Sequence, residues 1–399
     1  MQTVAAAEAL IQQAIAPAAH VCVVQGDYSA ASLHAPLCAD RPLPPYDRVA
    51  MDGIALNLER WQAGQRRFAV AGLQRAGEPP LTLPGPEVCL EVMTGAVLPT
   101  GCDCVVPVEA LSREGDSALL PEALAPGQNI HACGSDFLAG AELVPVGTPL
   151  HAAVRAVAAA VGQPHPPVSR TPRIALISTG DELVSPEATP LPHQIRSSNQ
   201  SFLVAALSQA GFTRLSRHHL PDQPEALQAG LAALLADHDW LVATGGVSMG
   251  RFDLLPETFA ALGVRQILHR VRQQPGKPLW FGCSASGQPV FGLPGNPVSV
   301  AVCTARYLLP ALRAHLGQPE RPLYACLQAD YHQPKALTRF LPVRVECTPA
   351  GQLVAELLPL NGSGDLAGLA AADGLLELPP GPRLCPAGSA WRYWRWFHG

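Results

Sequence analysis

From residue 173 to residue 309, apolar runs of strand length alternate with stretches of helical spacing, and four of the strand candidates break into glycine, proline or acidic residues. The sharpest break is in DWLVATGGVSMGRFD, residues 239–253. Here the apolar run 240–243 stops at Thr244, Gly245 and Gly246, and Ser248, Gly250 and Asp253 extend a polar loop before helical spacing resumes at Leu254, Leu255, Phe259 and Leu262. Two adjacent glycines allow positive φ and a close approach to a ligand. A strand, a glycine loop and a helix also expose backbone N–H groups suited to phosphate, although a Gly-Gly pair by itself is ordinary punctuation. Three similar breaks accompany it. RIALIS runs into Thr179, Gly180, Asp181 and Glu182; RLSRHHL leads to Pro221 and Asp222; PVFG leads to Leu293, Pro294, Gly295, Asn296 and Pro297. Strands alternating with helices predict a doubly wound, mostly parallel sheet, and ligands bind such sheets outside the carboxyl ends of the strands. All four polar clusters should therefore lie on one edge. Turn chemistry accounts for their glycines and prolines but less well for the repeated carboxylates.

The flanking sequence has a different rhythm. Residues 4–15 predict a helix, and the proline-rich PLPPYDRVAMDG marks a boundary near Asp47 with a turn at Asp52-Gly53. Residues 68–120 alternate short apolar runs with turn signals, as a small β module does. HAAVRAVAAAV, residues 151–161, predicts a helix, and the segment beyond Pro322 returns to β-like runs. Its last run, WRYWRWF, alternates aromatic and basic residues; a final two-sided strand is favoured over a nucleic-acid or membrane surface. With 399 residues, two to four domains are expected.

Composition excludes several function classes. No run of about 18 uncharged apolar residues argues for a membrane span, Glu8 and the absence of a basic leader argue against a signal peptide, and the net charge of −5 gives no reason to bind nucleic acid. The eleven cysteines are scattered, and the Cys102/Cys104 spacing suits neither zinc nor redox chemistry, so reduced structural thiols in the cytoplasm are expected. Neither an HExxH motif nor a metal spacing among the thirteen histidines occurs. The carboxylates Asp181, Glu182, Asp222 and Asp253 suit a phosphate ligand bound through Mg²⁺, which takes oxygen ligands and bridges to substrate phosphates. Lys277, one of only two lysines with Lys335, sits in Gln274-Pro275-Gly276-Lys277-Pro278 and can supply a point charge to an anion.

Together TGGVSMGRFD, STGDEL (178–183), PGKP (275–278), GLPGNPVS (292–299), AMDG (50–53) and MTGA (93–96) resemble the molybdopterin molybdenumtransferase, or MoeA, family, which is related to the C-terminal part of gephyrin. GGVS alone is shared with the molybdopterin adenylyltransferases; AMDG, MTGA and a C-terminal β domain point to the insertase. The resemblance implies an enzyme that converts adenylylated molybdopterin and molybdate to molybdenum cofactor and AMP with Mg²⁺. It also implies a cytoplasmic homodimer whose cleft combines the central domain of one subunit with the β module of the other, with the adenylyltransferase and apo-molybdoenzymes as further partners. The implied parts are a linker and dimerisation domain (1–46 and 136–170), a β module (47–135), a molybdopterin-binding α/β domain (171–320) and a C-terminal β domain (321–399). Carried over by motif, Asp52, Thr94, Glu182, Asp222, Asp253 and Lys277 are catalytic. Ser178, Thr179, Gly180, Asp181, Asn199, Thr244, Gly245, Gly246, Ser248, Gly250, Pro294, Gly295, Asn296 and Pro297 bind substrate. Glu182, Asp222, Asp253 and Asp136 are the implied metal ligands. The chain departs from the family at His131-Ala132-Cys133, at Gln274 and at Gln223, each time losing a charge near the anion or metal; Arg251, Arg272 or Arg339 are candidates to compensate. Two other readings stay open, a molybdopterin adenylyltransferase and a non-catalytic molybdopterin-binding scaffold.

Overall fold

The computed structural model describes residues 1–18, 21–23, 31–247, 254–318 and 320–396. Two compact units result, one of Met1–Ala35, Val146–Ala152 and His165–Gly399, the other of Pro36–Pro145 and Ala153–Pro164.

The first unit is built on a six-stranded sheet of β1 (Ile174–Thr179), β2 (Leu215–Leu220), β3 (Trp240–Thr244), β4 (Arg265–His269), β5 (Trp280–Cys283) and β6 (Pro289–Leu293), in the order 2-1-3-6-5-4. Strands β2, β1, β3 and β6 are parallel, and β5 and β4 add an antiparallel edge. The period of two along each strand feeds two cores. Ile174, Leu176, Trp240, Val242 and Phe291 face one side, and Ala175, Ile177, Leu241, Ala243 and Val290 face the other. A sheet buried on both faces needs helices on both. On the first side lie α1 (Val4–Ala14) through Val4, Ala7 and Ile11, α2 (Asn199–Gln209) through Leu203 and Leu207, and α5 (Pro297–Cys303); on the second lie α3 (Pro224–Asp237) and α4 (Leu255–Ala261). Gly211, at φ +88°, follows α2 and turns the chain out of it. This is the doubly wound α/β arrangement the alternation predicts.

The same unit carries a β barrel. Strands Thr338–Cys347, Leu353–Leu357, Leu323–Leu327, Ala390–Arg395 and Gly374–Leu378 pair in that order around a ring that closes between Gly374–Leu378 and Thr338–Cys347. Leu327, Leu341, Val343, Leu376 and Tyr393 fill its interior. A two-residue strand from the α/β part, Gln273–Gln274, pairs in parallel with Thr338 and Arg339 and joins barrel to sheet. WRYWRWF is the last barrel strand through residue 395: Tyr393 enters the core and the Trp394 indole N–H donates to Glu377 at 2.8 Å, so its aromatic residues serve packing.

The second unit holds a six-stranded sheet from residues 53–119 around Ile54, Leu56, Phe68, Cys104 and Val106. The expected turn at Asp52-Gly53 lies one residue earlier, because Gly53 begins the interior strand Gly53–Leu56. A Cβ on Gly53 would stand 1.9 Å from the Val106 carbonyl oxygen. Close strand packing, not turning, requires that glycine.

Candidate functional site

Register places the four strand ends on one edge: Thr179 stands opposite Leu220, Ser178 opposite Thr244, and Thr244 opposite Leu293. The order 2-1-3 reverses direction between β1 and β3, the topological switch point where such folds open a crevice. The loop after β1 holds Gly180 (φ +129°) and exposed Asp181 and Glu182; the loop after β3 holds Gly245 (φ +87°) and Gly246 (φ +62°). Both loops pack tightly. A Cβ on Gly246 would lie 3.1 Å from Thr179 Oγ1 and from Leu255 Cγ, and one on Gly180 2.6 Å from Glu182 Oε2. The Gly245 N–H donates to the Leu293 carbonyl at 3.1 Å, and Thr244 Oγ1 donates to the Ile177 carbonyl at 3.3 Å. These residues shape the crevice by letting three chain segments approach one another.

The loop after β6 closes the group. Gly295 packs against Gly245, and its carbonyl accepts from Asn199 Nδ2 at 2.7 Å. Asn199 opens α2 without a side-chain cap, so the polar residues at that helix start serve the edge instead. Asn199 Oδ1 and Ser197 Oγ are buried and lack a hydrogen-bond partner among the described residues. Buried polar atoms are normally satisfied, and these two stand where a bound ligand could complete them. After β2, the Asp222 N–H donates to Asp181 Oδ1 at 3.4 Å, which draws two of the expected carboxylate positions together. Ser178 is buried beneath them and shares a 3.1 Å hydrogen bond with His219 Nδ1. Ser248, Gly250 and Asp253, with Arg251, lie outside the described residues.

A cleft of about 670 Å³ opens beside this edge, lined by Gln274, Lys277, Asn296, Arg339 and Ser363 among others. Asn296 Nδ2 donates to Ser363 Oγ at 2.9 Å, tying the loop after β6 to the segment that enters the barrel. Gly276, at φ +86°, packs onto α5, where a Cβ would reach within 2.9 Å of Cys303 Sγ; that packing sets Lys277 at the cleft. Arg339 Nε is buried and has no hydrogen-bond partner among the described residues. The residue was readable only as one of several compensating arginines; its place follows from the parallel pairing of residues 273–274 with 338–339, a contact between distant segments that periodicity does not signal.

In the second unit, the AMDG and MTGA motifs meet. Thr94 donates to Asp52 Oδ1 twice, from its backbone N–H at 2.6 Å and its hydroxyl at 2.7 Å. Gly95, at φ +85°, makes the turn that presents both donors. The backbone bond first, and the hydroxyl bond after it, hold the exposed Asp52 carboxyl below its ordinary value. Asp136, expected as a metal ligand, is engaged elsewhere: its Oδ1 lies 2.9 Å from His131 Nε2, and His131 Nδ1 lies 2.9 Å from Arg48 Nη2. His131 thus stands between a cation and an anion.

Three family models cover most of the chain: a MoeA N-terminal region (domain I and II) over residues 2–162, a probable molybdopterin binding domain over 175–314, and a MoeA C-terminal region (domain IV) over 324–390. A molybdopterin molybdenumtransferase from Synechocystis sp. is 39% identical over 361 residues, covering 90% of each chain. The chain belongs to the molybdopterin molybdenumtransferase family. Two solved structures of a MoeA protein of molybdopterin biosynthesis from Pyrococcus horikoshii agree in fold. They align with TM-scores of 0.82 and 0.84 at 27% and 25% identity, covering 99% or more of both chains. In this MoeA-family chain the probable molybdopterin binding domain coincides with the sheet whose strand ends form the crevice.

Proposed function

We propose that this enzyme transfers molybdenum from molybdate to adenylylated molybdopterin, releasing AMP and molybdenum cofactor. The observation that carries the reading is the convergence of the loops after β1, β3 and β6 at the switch point, next to a cleft lined by Lys277 and Arg339. The glycine loops suit the phosphates of the pterin adenylate, and the cationic cleft suits a tetrahedral oxyanion. Water, or an oxygen of molybdate whose P–O–Mo link is then hydrolysed, attacks the pterin-side phosphorus of the phosphoanhydride, the P–O bond to the adenylate breaks and AMP departs; molybdenum binds the dithiolene sulfurs as one molybdate oxygen leaves as water with the two thiol protons. Lys277 neutralises charge that grows on the oxygens during that step. Asp52, held by Thr94, belongs to the site only as part of the proposed homodimer. The proposed homodimer supplies it from the partner subunit, as the resemblance implies.

Magnesium fits the donor chemistry. Asp181, Glu182 and Asp222 offer only oxygen at the edge, and among the described residues no three His, Cys, Asp or Glu side chains come together to hold a metal. Magnesium keeps several waters and takes one or two carboxylates plus substrate phosphates; in this reading its carboxylates would come from among Glu182, Asp222 and Asp253, and it would supply charge neutralisation at the phosphoanhydride. Asp136 is a weaker choice, since a metal would compete with its bond to His131. The ten described cysteines are all free thiols, which supports a reducing compartment such as the cytoplasm.

The test is incubation of the purified protein with adenylylated molybdopterin, molybdate and Mg²⁺. AMP release that requires molybdate and activates an apo-molybdoenzyme is the expected result. Pyrophosphate release from ATP and molybdopterin would instead make it an adenylyltransferase, and tight binding without AMP release would leave a scaffold.

A further inference from the structure

We propose that Lys335 is a specificity residue for the oxyanion, supplying from the barrel a second ammonium beside Lys277; this rests on the reading of the cleft as the molybdate side of the site. The chain contains only two lysines, 58 positions apart in sequence (335 − 277); Lys277 lines the cleft, and Lys335 is bonded to a residue that lines it. Lys335 Nζ donates to Gln274 Oε1 at 2.8 Å, and Gln274 lines the cleft with Lys277. An ammonium has three donors. One is spent on Gln274, and two remain for a ligand.

Two observations set this lysine apart from a solvated surface charge. Its backbone is pinned on both sides: the Lys335 N–H donates to Gln333 Oε1 at 3.3 Å, and its carbonyl accepts from the Gly381 N–H at 2.7 Å. Gln333 is itself buried and donates to the Leu337 carbonyl at 3.1 Å, so the 334–337 loop is held by a buried side chain. The local charge is also one-sided. Among the described residues no carboxylate lines the cleft, although the whole chain carries a net charge of −5, and none of Lys277, Lys335 and Arg339 forms an ion pair. Unneutralised cations converging on a concave surface select a compact dianion. Lys335 and Arg339 both come from the barrel, so anion binding depends on the barrel being seated against the α/β sheet.

The experiment uses full-length Lys335→Gln protein. Molybdate dependence of AMP release is measured at saturating pterin adenylate, and molybdate binding is measured by equilibrium dialysis without the pterin. The expected result is a rise of about ten-fold in the molybdate KM and Kd, the loss of one charge-assisted hydrogen bond. Turnover at saturating molybdate, the KM for the pterin adenylate and the melting temperature stay at wild-type values. Returning the charge in the Gln274→Lys/Lys335→Gln double variant restores molybdate affinity. Unchanged molybdate affinity in the single variant, a rise confined to the pterin adenylate KM, or loss without rescue would each overturn the proposal. Wild-type protein that binds molybdate but releases no AMP would sink the proposed reaction, and dialysis would still decide Lys335.

Discussion

Asp52 is a carboxylate prepared by its neighbours. The Thr94 N–H and hydroxyl both favour its ionised form, so it stays charged well below neutrality. With its folded value depressed, any stabilisation it adds is present above its ordinary value of 3.8 and is lost as pH falls through the lower folded value. An exposed group of this kind matters little to stability, and its role lies in the chemistry. Asp52→Asn and Glu182→Ala should each slow AMP release by about 100-fold while leaving the melting temperature unchanged. Full AMP release by either variant removes that residue from the site. Both residues were legible in the sequence through their motifs. The Asp52–Thr94 bond was not, because it joins two turns 42 residues apart. Lys335 was visible as a scarce residue type, but its partner Gln274 depends on the seam between barrel and sheet, which no local pattern encodes.

Among the elements, the α/β sheet was readable because hydrophobic period and glycine stops are local signals. Barrel closure and the short strand 273–274 are long-range pairings and were not. A buried ion triad shows how such parts are tied together. Arg306 is 5% exposed; its Nη2 lies 2.6 Å from Glu8 Oε2 on α1 and its Nε 3.0 Å from Glu377 Oε2 on the barrel, and its guanidinium lies over the Trp394 ring at 4.6 Å. Arg306→Ala leaves two carboxylates without their cation and should cost about 3–5 kcal/mol in urea unfolding. Replacing all three charges by apolar residues of similar volume should recover most of it; if the triple variant is as unstable as the single, packing and not charge explains the loss. On the edge strand β2, His218 Nε2 meets Ser216 Oγ at 2.8 Å, and Ser216 Oγ meets His238 Nε2 at 2.7 Å. Burial first, then His238, lowers the His218 pKa, and burial also lowers that of His315. For a histidine with a depressed folded value, the unfolded chain takes up the proton first, at its ordinary value of 6.5. Stability therefore falls as pH drops through that value toward the folded one. The melting temperature should be lower at about pH 5.5 than at about pH 7.5, with a smaller difference in His218→Phe; an identical difference in that variant excludes His218 as a source.

At the scale of the whole molecule, the homodimer reading draws Asp52 and Glu182 of one proposed site from different subunits. That composition has a consequence that a site within one chain lacks. In a dimer of Asp52→Asn with Glu182→Ala, one site carries both substitutions and the other carries neither. Random pairing makes about half of the dimers mixed, and each mixed dimer keeps one intact site of two, so co-expressed variants should regain about a quarter of wild-type AMP release although each alone is nearly inactive. A site contained within a single chain gives no such recovery, since every copy of it holds one substitution. Measuring AMP release by the co-purified mixture therefore decides where Asp52 acts, independently of how much each substitution costs. The resemblance implies a shared cleft, but the residue pattern along one chain does not encode it, because which subunit completes a site is set by the arrangement of two copies.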